Sequence, residues 1–314
     1  MIKIPTISND LKKAYLKDTL SRMIKFLEDK KSVPEFHAII RYVSDNGAIS
    51  EDKIKNLLSG DINTLLGIIS EIGTFSADKM GEKEVIDSFA NLYNNFGNRK
   101  FGKSWAEKLG VTICPYCNRN YIFTLNNESV RPQYDHYFPK SRYPYLALSM
   151  YNLIPCCAIC NSAKSDFDTY NAEEKKENFM YPFRDEYGED ISFHVINGDN
   201  VRALTGNGDS YSVEIVAAAG TDSKLSEREK KANEKLKLTS LYNKHSDYIR
   251  DIIRTAHIYD EEYINSLLTK FPDLFDSEQD VKNLVYLNYL EQKDWGKRIL
   301  SKLTHDVIKE YECE

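Results

Sequence analysis

Two short cysteine knuckles constrain this chain more than any other feature. Cys114-x-x-Cys117 and Cys157-x-x-Cys160 are separated by 39 residues, and Cys156 directly precedes the second. Five of the six cysteines therefore fall within 47 positions; the sixth, Cys313, sits in a polar tail. A disulfide scaffold spreads its cysteines through a small secreted chain. This one has 314 residues, and its opening MIKIPTISNDLKKAYLKD lacks the apolar core of a secretory signal, which predicts a cytoplasmic protein. Each knuckle places two thiolates on one tight turn, and two knuckles supply the four sulfurs, at about 2.3 Å, of a tetrahedral zinc shell. Pro115 and Tyr116 shape the first turn and Asn118 follows it. Cys156 in place of Cys157 gives a Cys-x3-Cys spacing, so the expected zinc ligands are Cys114, Cys117, Cys157 and Cys160. A closed four-cysteine shell leaves no position for water and is structural. The chemistry must lie in what it staples.

Between the knuckles, residues 134–138 form an aromatic, strand-like run that Pro139 ends. Asp135 and His136 are adjacent in it, and strand alternation points them to opposite sides, which predicts separate roles. Asn152-Leu153-Ile154-Pro155 leads into the second knuckle, and residues 158–165 read as a helix start bearing Asn161 and Lys164.

Taken in order, Cys-x2-Cys, Asp-His-x2-Pro-Lys, Asn-Leu-x-Pro and Cys-x2-Cys-Asn-x2-Lys resemble the zinc-stapled HNH endonuclease motif over about residues 112–185. The resemblance implies a ββα-metal core, two strands and a helix clasping one divalent cation. The wording Asp-His-Tyr-Phe-Pro-Lys-Ser looks most like the HNH subunits of Septu-type and retron-associated bacterial antiphage systems. That implies a PtuA-type ATPase partner, within a retron complex in some systems. It also implies that Asp135 and Asn161 bind the catalytic cation, while Asn152 orients the loop and the His136 ring through backbone contacts. Asn161 stands where many relatives carry His, giving an H-N-N version of the motif.

The residues suit that chemistry. Phosphodiester hydrolysis needs an activated water, a cation to neutralise charge on the phosphate and leaving oxygen, and rigid alignment of both. Imidazole titrates near neutral pH, so His136 can take a proton from water. Asp135 is a hard oxygen ligand for Mg²⁺ or Mn²⁺, and Asn161 offers a neutral amide oxygen. Lys164 and Lys140 are the nearest cations in sequence and are expected to contact substrate phosphate; Arg142 and Arg119 are close. The tyrosines around the motif suit base stacking or a thin aromatic core equally well. DNA is the default substrate that the family implies, and RNA, including tRNA, is the alternative. The competing function is a non-catalytic zinc module that binds nucleic acid or protein, and it has no need of Asp135 or His136.

The flanking regions read as helical. Leu11, Tyr15, Leu16, Leu20, Met23 and Ile24 recur at helical spacing, with breaks at Gly60-Asp61, Gly73 and Gly97. Residues 191–195 and 211–215 alternate like strands, with Asn197-Gly198 and Asn207-Gly208 as turn signals, and a strand pair packed on the core is expected. From about residue 223 the pattern predicts a long acidic helical tail. The expected fold is α+β and mainly helical: a helical region at 1–105, an HNH core with a small strand insertion at 106–220, and an acidic helical region at 221–314. No Gly-x4-Gly-Lys loop occurs, so any ATP dependence must come from another chain.

The formal net charge of -6 first argues against a polyanionic partner. By segment it is +2 over residues 1–110, zero over 111–185 and -8 over 186–314. The segment bearing the motif is neutral and the acid is confined to the C-terminal part, which suits a protein partner. A neutral core has weak intrinsic affinity for a polyanion, so a partner or a structured substrate is expected to supply binding.

Overall fold

A computed structural model of the chain describes residues 1–97, 100–125, 130–196, 201–208 and 210–312. Cys313 and the Asn197-Gly198 turn signal lie outside them. The described chain is mainly helical with four small two-stranded antiparallel sheets. Among the described residues no helix is long and apolar enough to cross a membrane. The chain divides into two compact units.

One unit comprises Ile4–Val111 and Ile122–Arg184. Its first helix, Asn9–Asp29, is capped by Ser8, whose hydroxyl accepts from the Leu11 N–H, and buries Tyr15, Thr19, Met23 and Leu27 along one stripe. Gly60 closes helix Glu51–Ser59, and Asp61 opens helix Ile62–Ile72 by accepting from the Thr64 N–H at 2.9 Å. Gly73, in the left-handed region at φ 84°, ends that helix, where a side chain is disfavoured. Helix Glu82–Gly97 buries Val85 and Phe89, and Phe89 packs on Phe26 and Phe36. The same helix lies against the turn Pro144–Leu146, so helical and motif residues share one core. Long-range hydrogen bonds tie that core together. The Tyr15 hydroxyl donates to the Leu148 carbonyl at 2.7 Å, Tyr134 to Gly102 at 2.8 Å and Tyr145 to Gly73 at 2.8 Å.

The other unit comprises Met1–Lys3, Thr112–Tyr121 and Asp185–Glu314. Strands Ile191–Ile196 and Ser212–Ala217 pair antiparallel from Ile191↔Ala217 to Ile196↔Ser212, with the apolar side chains of the first buried alternately. Helix Ser301–Tyr311 packs along the first strand. Its Asp306 and Glu310 carboxylates, one turn apart, accept from the Phe193 and Val195 N–H groups at 2.9 and 3.1 Å, covering an otherwise open sheet edge. The tail is helical as expected, and it is divided into short helices. Lys237 in the left-handed conformation separates Ser223–Leu236 from Leu238–Tyr242, and Asp260 starts a new helix, Glu261–Lys270, just after Ser246–Ile258 ends. Pro272 cannot continue that helix. Ile264, Phe275 and Val281 form a satellite core beneath this segment.

Candidate functional site

The site is built on strand Gln133–His136, strand Leu153–Cys156 and helix Ala158–Lys164. The strands pair antiparallel with Asp135 opposite Ile154 and His136 opposite Leu153. The chain between them is folded onto Asn152. Its side-chain oxygen accepts from the Phe138 N–H at 2.7 Å, and its amide donates to the Phe138 and Leu146 carbonyls, both at 3.1 Å. Asn152 is wholly buried, and three charge-neutral hydrogen bonds lock the loop that follows His136.

The four expected zinc ligands come together. The sulfurs of Cys114, Cys117, Cys157 and Cys160 all lie within 4.8 Å of one another, and all four residues are buried. Four thiolates at about 2.3 Å from one ion stand roughly 3.8 Å apart, so the donor set fits a structural zinc. Each knuckle is shaped locally. The Asn118 N–H donates to the Cys114 carbonyl, the Cys114 N–H donates to the Asn120 carbonyl, and Asn118 takes the left-handed conformation that asparagine tolerates. The Cys160 N–H donates to Cys157 Sγ at 3.4 Å, which makes Cys157 the cap of helix Ala158–Lys164. Cys156, the spare, is buried, and desolvation raises its thiol pKa well above the ordinary value.

Asp135 and His136 are nearly inaccessible, at 2% and 6% exposure. His136 Nε2 lies 3.0 Å from the Ala147 carbonyl oxygen. A carbonyl only accepts, so Nε2 carries the proton and Nδ1 the lone pair. Burial, then the neighbouring Lys140 charge, pushes the His136 pKa down to about 3, while the Ala147 hydrogen bond opposes the shift. The imidazole is accordingly neutral at physiological pH, and in this buried setting it is a weaker base than the near-neutral titration expected of a free imidazole. Strand alternation predicts opposite directions for Asp135 and His136, and their hydrogen-bond partners do differ. Both nevertheless line one cavity of about 400 Å³, with Tyr134, Lys140, Asn161 and Asp166 in the same wall. His136 is the last residue of its strand and the backbone bends at 137–138, so the alternation does not continue past it.

Lys164 and Lys140 occupy different environments. Lys164 has no exposed surface, and its ammonium donates to Asp135 Oδ1 and to the His136 carbonyl, both at 2.9 Å. It is held inside the protein at the last turn of its helix. Lys140 is half-buried, lines the cavity, and rests 5.7 Å from the centroid of the Tyr93 ring. Desolvation lowers its pKa, and the Asp135 carboxylate opposes that shift. Of the two nearby arginines, Arg142 pairs with Asp168 at 3.5 Å, and Arg119 donates to His245 Nε2 at 2.9 Å.

Asn161, half-buried on the helix, donates from its amide to Gln133 Oε1 at 2.8 Å and lines the cavity with Asp135. An aspartate and a neutral amide are both hard oxygen donors, although Asp135 Oδ1 already accepts from Lys164. Two contributors had no local signal in the sequence. Ala147 acts through its carbonyl, which every residue possesses, and Tyr93 lies 43 positions before His136 on another element.

Together these features define a mainly helical protein with a buried aspartate–histidine strand, a helix springing from a four-cysteine cluster, and a polar cavity between them. Among curated proteins the chain is similar to the Septu protein PtuB of Bacillus thuringiensis, 28% identical over 131 residues. That match covers 39% of this chain and 48% of the relative, so the chain spans about half the length of the curated relative it matches. No protein-family model matches the chain. No solved structure matches it.

Proposed function

We propose that this protein is a metal-dependent HNH endonuclease acting in a Septu-type antiphage system, with nucleic acid as substrate and a PtuA-type ATPase as partner. One observation carries the reading: the Asp135–His136 strand and the Asn161 helix meet in one cavity, with the His136 proton held on Nε2 by Ala147. A bare zinc-binding module has no use for that arrangement. The likeness to a Septu protein supports the system assignment.

In this mechanism Nδ1 of His136 accepts a proton from water as the water oxygen attacks phosphorus and the P–O bond breaks, and the leaving oxygen takes a proton from solvent to depart as a hydroxyl. Asp135 and Asn161 would hold a divalent cation that neutralises charge on the phosphate. Asn152 fixes the loop after His136, Lys140 faces the phosphate, and Lys164 secures Asp135 to the helix. The four cysteines would hold zinc in a structural role.

The test is cleavage of supercoiled plasmid and of tRNA with Mg²⁺ or Mn²⁺, with the partner ATPase added. The expected result is cutting of one substrate by the wild type and none by His136→Ala. Undiminished cutting by His136→Ala refutes the mechanism. No cutting of either substrate under any of these conditions favours the non-catalytic zinc module.

A further inference from the structure

We propose that Tyr93 is a positioning residue for His136, setting the tilt of the imidazole from a helix distant in sequence. The inference rests on the nuclease reading above. The Ala147 carbonyl holds the His136 ring at Nε2. Tyr93 supplies a second contact, to the ring itself. The two ring centroids are 4.5 Å apart at an interplanar angle of 72°, an edge-to-face pair at the short end of the favourable range.

Tyr93 is itself anchored. Val85, Phe89 and Tyr93 recur at four-residue spacing on helix Glu82–Gly97, so they share a face. Val85 and Phe89 are fully buried, and Phe89 is wedged against Phe26 and Phe36. Ile86, seven residues before Tyr93 and two helical turns away, lines the same cavity as His136. The helix thus carries the Tyr93 ring on a rigid support. The phenol stays neutral, because burial pushes its pKa up to about 12. Lys140 also meets Tyr93, its ammonium lying over the ring 5.7 Å from the centroid. One aromatic side chain therefore touches both the candidate base and the candidate phosphate cation. These contacts use the ring and not the hydroxyl, so phenylalanine should replace tyrosine and an aliphatic residue should not.

The experiment compares Tyr93→Phe, Tyr93→Leu and His136→Ala in the full chain, with its partner ATPase, on whichever of plasmid and tRNA the wild type cuts. Tyr93→Phe should keep kcat within about threefold, while Tyr93→Leu should lower kcat by about 10- to 100-fold with KM within about threefold, the scale of a misplaced reacting group. Wild-type kcat in Tyr93→Leu, with His136→Ala inactive, overturns this inference and leaves the nuclease reading standing. Equal impairment of Tyr93→Phe and Tyr93→Leu also overturns it, since the hydroxyl would then be the active feature. Full activity in His136→Ala overturns the assignment of His136 as the base and this inference with it, whereas no cutting by the wild type overturns the nuclease reading. A measurement independent of turnover uses ¹³C-labelled histidine. The His136 ring protons should show the same ring-current shift in wild type and Tyr93→Phe and lose it in Tyr93→Leu. No change in Tyr93→Leu overturns the contact.

Discussion

Lys164 Nζ lies 2.9 Å from Asp135 Oδ1, and the two side chains are 0% and 2% exposed. A lysine this deeply buried beside a carboxylate balances charge inside the fold, and it also donates to the His136 carbonyl. It fastens the end of helix Ala158–Lys164 to strand Gln133–His136, the two elements that bring Asn161 and Asp135 to one cavity.

Removing one partner of that pair leaves an uncompensated buried charge. Lys164→Met should destabilise the protein by about 3–5 kcal/mol, because the Asp135 carboxylate loses its counter-charge. Chemical denaturation of the variant measures this. A loss below about 1 kcal/mol, with weakened substrate binding instead, would show that Lys164 works as a phosphate contact.

The four-cysteine cluster makes a prediction about composition. Cys117→Ser should lose about one zinc per chain by elemental analysis and lower thermal stability, since metal binding and folding are coupled in such sites. Cys156→Ser should retain the metal, because Cys156 lies outside the cluster. Equal loss from both variants would remove the distinction between ligand and spare.

Asn152 satisfies three backbone groups at once. Asn152→Ala leaves the Phe138 N–H and two carbonyls without that partner, which should cost about 2–4 kcal/mol on the scale of buried unsatisfied groups. Asn152→Asp should also destabilise, since it keeps an acceptor for the Phe138 N–H but loses both donors. Urea titrations of the two variants decide this, and a neutral Asn152→Ala would contradict the loop-locking role.

Asp61 supplies a pH prediction. Its pKa is lowered chiefly by the Thr64 backbone N–H it accepts at the start of helix Ile62–Ile72, and burial opposes the shift. A carboxylate whose folded pKa lies below the unfolded value contributes stability that is full above the unfolded pKa and is lost as pH falls through the folded one. Asp61→Asn should therefore match wild type near neutrality and lose less stability below about pH 4, while Asp61→Ala should cost about 1 kcal/mol at pH 7. Thermal melts at pH 3 and pH 7 test both.

Much of the site was legible because its signals are local. Cys-x2-Cys places two sulfurs on one turn whatever surrounds it, and the four ligands named from spacing do converge. The adjacency of Asp135 and His136, the breaks at Gly60-Asp61 and Gly73, and the alternation in Ile191–Ile196 are likewise short-range patterns that backbone geometry converts directly into structure. The tail's helical character is legible in its periodicity, but the breaks at Lys237 and Tyr259 are not, because backbone conformation alone makes them.

The sequence by itself determined the metal-binding residue types, the strand that carries Asp135 and His136, and the neutrality of the segment around them. Only the tertiary structure decided what the charged and aromatic neighbours do. A lysine is a solvated cation by default, and nothing within a few positions of Lys164 reveals that packing will bury its ammonium against Asp135. Nor does any local pattern bring Tyr93 to His136 or leave Lys140 on the cavity wall. Those assignments depend on which distant surfaces meet. They are settled by the burial of Phe89 and the turn Pro144–Leu146, where apolar packing over long sequence separations outweighs local preference.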